Sequence, residues 1–200
     1  MYAVIGLGNP GKRYELTRHN VGFWVVDYIY SQSGKEQAGL SWKRFEEVDT
    51  CLVARSPEPM MLLKPLKYMN LSGEAVQPVL HFYKINPKQV IVIHDDIDLP
   101  CGQLRIREGR KSGGHRGVQN MIDMLGGSDF ARIRIGVGRP GQVAENTDAI
   151  DPGDWVIGKP SFIEEGLLRE AVQKAAEALN VLINDGLIKA QNRFNTKVEN

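Results

Sequence analysis

The stretch Val4-Ile5-Gly6-Leu7-Gly8-Asn9-Pro10-Gly11-Lys12-Arg13-Tyr14-Glu15-Leu16-Thr17-Arg18-His19-Asn20-Val21-Gly22-Phe23 decides how this chain is read. Gly6, Gly8 and Gly11 satisfy the G-x-G-x-x-G spacing of a dinucleotide-binding loop, directly after a β-forming run that begins at Tyr2. A nucleotide site requires the helix to begin inside the glycine motif, so that its free N–H groups meet the pyrophosphate. Here Pro10 rigidifies the motif and residues 11–15 show no apolar face. Helical periodicity starts only at Val21, with Val25, Tyr28 and Ile29 on the same face. The acidic residue expected at the end of a second strand is also missing, because Asp27 falls within the helix pattern. A lone G-x-G-x-x-G is weak support, so the glycines are read as turning a loop that presents polar side chains. Those are Asn9, Tyr14, Arg18, His19 and Asn20. His19 falls at or just before the helix start, where the partial positive charge disfavours imidazolium. A neutral imidazole there can serve as a general base; it can equally be a helix-start residue bonded to the backbone.

Working outward, Thr50–Ala54 and Met60–Lys64 read as antiparallel strands around a turn at Pro57-Glu58-Pro59, too short for a crossover. Residues 35–49 are polar and poorly periodic. Ser72 can cap a helix carrying Val76, Val79, Leu80 and Tyr83, in which Pro78 predicts a kink or a late start. Val90–Ile93 is a continuous apolar run ending in His94-Asp95-Asp96, the pattern of a buried central strand with polar residues at its C-terminal end. Strands follow over Gln103–Arg107 and Ala131–Val137, separated by a helix that begins just after Gly113-Gly114. Residues 138–155, rich in Gly, Pro and Asp, read as a loop. Ser161-x-x-Glu164 is a capping box that opens a long helix ending near Gly186. The alternation predicts an α/β fold: a single domain over residues 1–200 with a twisted, mixed β-sheet and helices on both faces.

The 25 basic and 24 acidic residues nearly cancel, so a nucleic-acid site must come from local clustering. Arg105, Arg107, Arg110, Lys111 and Arg116 form such a cluster, opposed only by Glu108 and ending at a Gly-Gly helix start suited to phosphate. Cys51 and Cys101 lack metal-ligand spacing and read as reduced thiols. No apolar run reaches the roughly 18 residues of a membrane span. With no signal pattern at the N-terminus, the expectation is a soluble, cytoplasmic protein without a membrane partner.

The quoted stretch, from Gly6 to Gly22, resembles the N-terminal signature of the bacterial-type peptidyl-tRNA hydrolase family. Lys64-Pro65 with Tyr68-Met69-Asn70-Leu71-Ser72-Gly73, and His94-Asp95-Asp96-Ile97-Asp98-Leu99-Pro100, are similar to its second and third motifs. Gly113-Gly114-His115 with Gly117, Arg132–Pro140 and Asn192-Arg193-Phe194-Asn195 fit the remainder, so the resemblance runs along the whole chain in order. It implies hydrolysis of the ester between a peptide and the 3′ end of tRNA, which recycles tRNA from peptidyl-tRNA that has dropped off ribosomes. The implied catalytic histidine falls on His19 and its partner carboxylate on Asp95. Asn9, Tyr14, Tyr68, Asn70, His115 and Arg116 are implied to bind substrate, with Asn9 helping to tell blocked from free aminoacyl-tRNA. The implied partner is peptidyl-tRNA, held by its acceptor end and peptide, and the enzyme is expected to work as a monomer without cofactor.

The chain holds no G-x-S-x-G elbow and no cysteine in a catalytic setting, which favours direct attack by water. His94-Asp95-Asp96-x-Asp98 could be a solvated strand end or a divalent-ion site; the resemblance implies no metal. The chain departs from the family at Arg116, where an asparagine is usual, and at Gly109-Arg110-Lys111-Ser112, where glycines are common. Arginine keeps donors, loses the acceptor and adds charge. A second class stays open: a non-catalytic RNA-binding relative on the same fold, such as the chloroplast group II intron splicing factor that resembles this family.

Overall fold

The computed structural model describes residues 1–54, 58–141 and 150–195. Seven strands form one mixed sheet in the order β2-β3-β4-β1-β5-β7-β6. They are β1 (Tyr2–Gly6), β2 (Lys43–Phe45), β3 (Val48–Val53), β4 (Met60–Pro65), β5 (Val90–Asp96), β6 (Leu104–Glu108) and β7 (Ala131–Gly136). The inner strands β4, β1, β5 and β7 run parallel, β3 and β6 run antiparallel to them at the two sides, and β2 pairs antiparallel with β3. Parallel strands covered on both faces should be apolar throughout, and Val90-Ile91-Val92-Ile93 is buried along its whole length.

Among the described residues, six helices cover the sheet: α1 (Val21–Glu36), α2 (Ser72–Phe82), α3 (Arg116–Leu125), α4 (Pro152–Ile157), α5 (Phe162–Asp185) and α6 (Leu187–Phe194). Side chains of α1, α4, α5 and α6 pack on one face around Val4, Ile91, Ile93 and Ile133. Those of α2 and α3 pack on the other around Ala3, Ile5, Val90 and Val92. The expected α/β architecture with helices on both faces is therefore present.

The glycines of the opening motif serve close packing. A Cβ on Gly6 would lie 2.3 Å from the Gly22 carbonyl oxygen, and one on Gly22 would meet Leu7 and Ile93 backbone within 2.6 Å. Helix α1 thus presses its first turn directly onto β1, fifteen residues beyond the start of the glycine motif rather than inside it.

Several expectations need correction. Residues 35–49 contain the short edge strand β2 and the start of β3. Helix α2 starts at Ser72 and carries Pro78 in its interior, so the late start does not occur. Ser72 does not cap α2; its hydroxyl donates to the Met69 carbonyl, while Asn120 Oδ1 from α3 accepts the Gly73 and Glu74 N–H groups instead. The stretch read as a loop over 138–155 contains the start of α4, with Asp151 as its cap and Pro152 in its first turn; residues 142–149 lie outside the described residues, as does Pro57 of the expected turn. Helix α6 follows Gly186 directly, and there the Asn195 side chain both accepts from Ile106 N–H and donates to Ile106 C=O. One amide thereby occupies the open edge of β6, which otherwise would template pairing with another chain.

The loop after β1 is anchored by Arg18. Its guanidinium donates from Nε and Nη2 to Glu164 at 2.9–3.0 Å, donates from Nη1 to the Trp155 carbonyl, and lies 3.6 Å above the Trp155 ring. Glu164 also accepts Ser161 N–H in the capping box of α5. Both side chains are almost fully buried, at 6% and 1% exposure. Breaking such a pair strands a charge at a cost of about 3–5 kcal/mol, whereas replacing both partners with apolar residues costs far less. Equilibrium denaturation of Glu164→Leu, Arg18→Met and the Arg18→Met/Glu164→Leu double variant should show the double variant less destabilised than the two single losses combined. Simple additivity would mean that the pair is not coupled.

Candidate active site

The polar loop after β1, the C-terminal end of β5 and the start of α3 meet over the sheet, where open α/β folds place their ligands. His19 sits in a 3-10 turn, Arg18–Asn20, immediately before α1. Its Nδ1 lies 2.8 Å from Asp95 Oδ1, and His115 Nε2 lies 3.0 Å from the same oxygen. Residues distant in sequence thus share one buried carboxylate.

The protons in this chain are fixed by its outermost partner. Val118 N–H can only donate, and it is 3.2 Å from His115 Nδ1, which caps α3. His115 therefore carries its proton on Nε2 and gives it to Asp95. A carboxylate only accepts, so His19 also presents a proton, on Nδ1. Its Nε2 makes no hydrogen bond among the described residues, and in the neutral imidazole it is the atom that carries the lone pair. Burial pushes the Asp95 carboxyl up, but His19 first and then His115 more than reverse this and hold it below the usual carboxylate range.

His19 and Asp95 line a cleft of roughly 740 Å³ together with Asn9, Tyr68, Met69, Asn70, His115 and Arg116. Asn9 is oriented by its surroundings. Asn20 accepts from Asn9 N–H and donates to its carbonyl, and the Asn9 Oδ1 accepts Met69 N–H at 2.8 Å. Only the two side-chain N–H donors of Asn9 remain for the cleft. Asn70 is exposed, and its amide has no partner among the described residues. Tyr14 does not line the cleft; it meets the 54% exposed Tyr68 edge-on, at 6.4 Å, with the Arg13 guanidinium over its own ring. Both ring nitrogens of His115 are occupied within the protein, so its place is behind Asp95 rather than on a ligand. Arg18 and Asn20, candidates in the loop, are buried scaffold.

Sequence reasoning did not include the opposite wall, where Asp151, Pro152, Gly153, Asp154, Val156 and Ile157 of the α4 region line the cleft. The Asp-Pro pair was a readable helix start. It also missed Asn120, whose role depends on a contact between α2 and α3.

One ligand atom each from His19, Asp95 and His115 lies within 4.8 Å of the others, a spacing open to a divalent ion. The donor chemistry does not fit. A neutral His115 binding metal through Nε2 would have to move its proton to Nδ1, against Val118 N–H, and uncap α3. Asp96 and Asp98 are occupied as well, by Arg134 and Arg139 respectively. Neither thiol offers a nucleophile: Cys51 is buried, and burial followed by Glu164 pushes Cys101 up to about 11.

Around the basic segment, buried Arg132 donates to the carbonyls of Gly109, Arg110 and Lys111. Arg105 is tied to the Asn195 carbonyl. The side chains of Arg107, Arg110, Lys111 and Arg116 have no hydrogen-bond or ion-pair partner among the described residues. Arg116 does not pair with Asp123, which accepts from Gln119.

Fold and site together define an α/β protein with an imidazole held over a buried carboxylate at the strand ends, in a cleft that Arg116 also lines. The chain matches the family model for peptidyl-tRNA hydrolase over residues 3–200. It is 40% identical to the peptidyl-tRNA hydrolase of Bacillus subtilis, over 99% of this chain and 100% of that one. It is 43% identical to that of Caldanaerobacter subterraneus, over 98% and 100%. The crystal structure of peptidyl-tRNA hydrolase from Acinetobacter baumannii superposes with a TM-score of 0.83 at 32% identity, covering 98% of this chain and 95% of the other. The chain belongs to the peptidyl-tRNA hydrolase family.

The hydrogen-bond chain fixes the tautomer of each neutral imidazole, which long-range ¹H–¹⁵N spectra can read. His19 should show a protonated Nδ1 and a bare Nε2, and His115 the reverse. Finding His19 with its proton on Nε2 would remove the free base from the cleft.

Proposed function

We propose that this chain hydrolyses the ester joining a peptide to the 3′ end of tRNA, with His19 as the general base. The observation that carries the assignment is the unshared Nε2 of His19, left facing the cleft because Asp95 holds the other ring nitrogen. A water bonded to Nε2 gives up its proton as its oxygen attacks the ester carbonyl. Asp95 stabilises the imidazolium that forms and is not itself protonated. Collapse of the tetrahedral adduct breaks the bond to the tRNA 3′ oxygen, which takes the proton back from His19. Peptide acid and free tRNA leave.

The side-chain N–H groups of Asn9 are available to a carbonyl oxygen of the peptide, and Asn70 can donate or accept beside them. A blocked amino group presents such a carbonyl, whereas a free aminoacyl group does not, which supports a part for Asn9 in discrimination. Tyr68, backed by Tyr14, offers a flat apolar surface for the unpaired 3′ end. His115 contributes through Asp95. Arg107, Arg110, Lys111 and Arg116 are the cations free to meet tRNA phosphates. No helix among the described residues is long and apolar enough to cross a membrane.

Release of N-blocked amino acid from tRNA, measured with purified protein, tests the assignment. His19→Ala should keep its fold and lose about 10²–10⁴-fold in kcat, the usual contribution of a positioned base. Asp95→Asn should lose less, because the base survives. Wild-type protein that binds tRNA without releasing the amino acid would identify the RNA-binding relative instead.

Arg116 gives a separate test. A phosphate contact made by one cation contributes about 0.7–0.9 to the log–log slope of affinity against salt. Arg116→Asn should flatten that slope by nearly one unit and leave the cleft chemistry intact. Parallel lines would confine the phosphate contacts to the 107–111 segment.

A further inference from the structure

His94 lies directly behind the site and has no part in the mechanism above. It is 1% exposed, on β5 next to Asp95. Its Nδ1 lies 2.7 Å from the Asp95 carbonyl oxygen, an acceptor, so the proton is on Nδ1. Its Nε2 is then a bare lone pair, buried with no hydrogen-bond partner. The His94 ring stands nearly perpendicular to that of His115, with centroids 4.7 Å apart and an interplanar angle of 67°. His115 in turn lies 5.1 Å from His19, so the three rings form a contiguous series.

We propose that His94 is a positioning residue: it holds the Asp95 peptide through Nδ1–H and braces the His115 ring, so that one carboxylate oxygen meets both imidazoles. The inference rests on the hydrolytic reading of the cleft. An apolar side chain would fill the same buried space and remove the unsatisfied Nε2, but it would take the donor away from the Asp95 carbonyl. What the imidazole supplies, and leucine cannot, is the Nδ1–H bond to Asp95 and a flat ring against His115. The groups facing it are His115 on α3, Asp95 on its own strand and Arg132 on β7. Burial first, and then His115, push its imidazole well below the usual histidine range. His94 thus stays neutral and does not compete with His19 for the Asp95 charge.

Three substitutions separate this role from simple core packing. Asn places an N–H donor where Nδ1 was; Gln places it one atom further out; Leu has none. His94→Leu should lower kcat about tenfold with KM within about twofold, as expected when an outer partner of a functional imidazole is lost. His94→Asn should recover most of that loss and His94→Gln should not. Melting temperatures measured alongside separate this from packing: His94→Leu removes the orphaned Nε2 but leaves the Asp95 carbonyl without its donor, whereas His94→Asn keeps that donor and buries an unsatisfied oxygen. His94→Asn should exceed His94→Gln in kcat at comparable melting temperature, which a purely structural role does not produce. Wild-type kcat in His94→Leu, or activities of the three variants that simply follow their melting temperatures, would overturn the proposal. Failure of the wild-type protein to release N-blocked amino acid would instead overturn the hydrolytic reading on which it rests.

Discussion

A carboxylate at 2% exposure cannot keep its charge unless the protein replaces the water it has lost. Asp95 imposes that constraint on everything around it. Its Oδ1 takes N–H groups from His19 and His115, which arrive from the loop after β1 and the start of α3. Each donor is held in turn. His115 is fixed through Val118 N–H, and α3 through Asn120, which caps α2 from across the helix pair. His19 follows Arg18, whose guanidinium is locked onto Glu164 and Trp155. Satisfying one buried charge therefore recruits α1, α2, α3, α4 and α5. Such a network is strong only when complete, because each missing partner exposes the next to an unmet desolvation cost.

The glycine motif follows from the same requirement. To bring His19 over the end of β5, the chain must leave β1, make a loop and enter α1 with its first turn against the sheet. Gly6 and Gly22 permit that approach, since a Cβ on either would strike backbone. A dinucleotide loop uses the same spacing for a different purpose, to bring a pyrophosphate near a helix N-terminus. Glycine spacing reports that something comes close. What comes close is decided by where the helix begins, and its late start at Val21 excludes the cofactor.

That distinction also marks how far the sequence could be read. Long elements with strong periodicity were legible: β5 as an unbroken apolar run, α5 from its capping box, α1 from the spacing after Val21. Short elements were not. Helix α4 has six residues and opens Asp-Pro-Gly, a composition shared with turns, so its cap signal is lost in the loop around it. Ser72 had the right residue type for a cap, but Asn120 supplied the acceptor from 47 residues away. His19 was legible as a candidate base from its local setting, alongside a plain helix-start reading, and Asp95 as its partner only through resemblance. The direction of each proton depends on Val118 N–H, which no sequence pattern marks. Local rules reach as far as local hydrogen bonds. Contacts between separate elements, such as Arg18 with Glu164 over 146 positions, need the fold.

The strand end also poses an electrostatic difficulty for a substrate that is a polyanion. Asp95, Asp96 and Asp98 gather beside the cleft, and bare they would repel phosphate. Each is matched from within: Asp95 by two imidazoles, Asp96 by Arg134, Asp98 by Arg139. These arginines are consequently poor candidates for a free phosphate clamp, whatever the count of basic residues implies. The cations left over are Arg107, Arg110, Lys111 and Arg116. Arg132 draws the carbonyls of residues 109–111 inward, and with them the negative ends of the peptide dipoles. The side chains of that segment are left to the solvent side. A chain with a formal charge of only +1 can thus present a locally positive rim, and screening over about 10 Å confines the attraction to phosphates that come close to it. Pairing the acids and freeing the bases are two parts of one arrangement: Arg134 and Arg139 are spent on Asp96 and Asp98, and the cations of the 107–116 segment keep no ion-pair partner among the described residues.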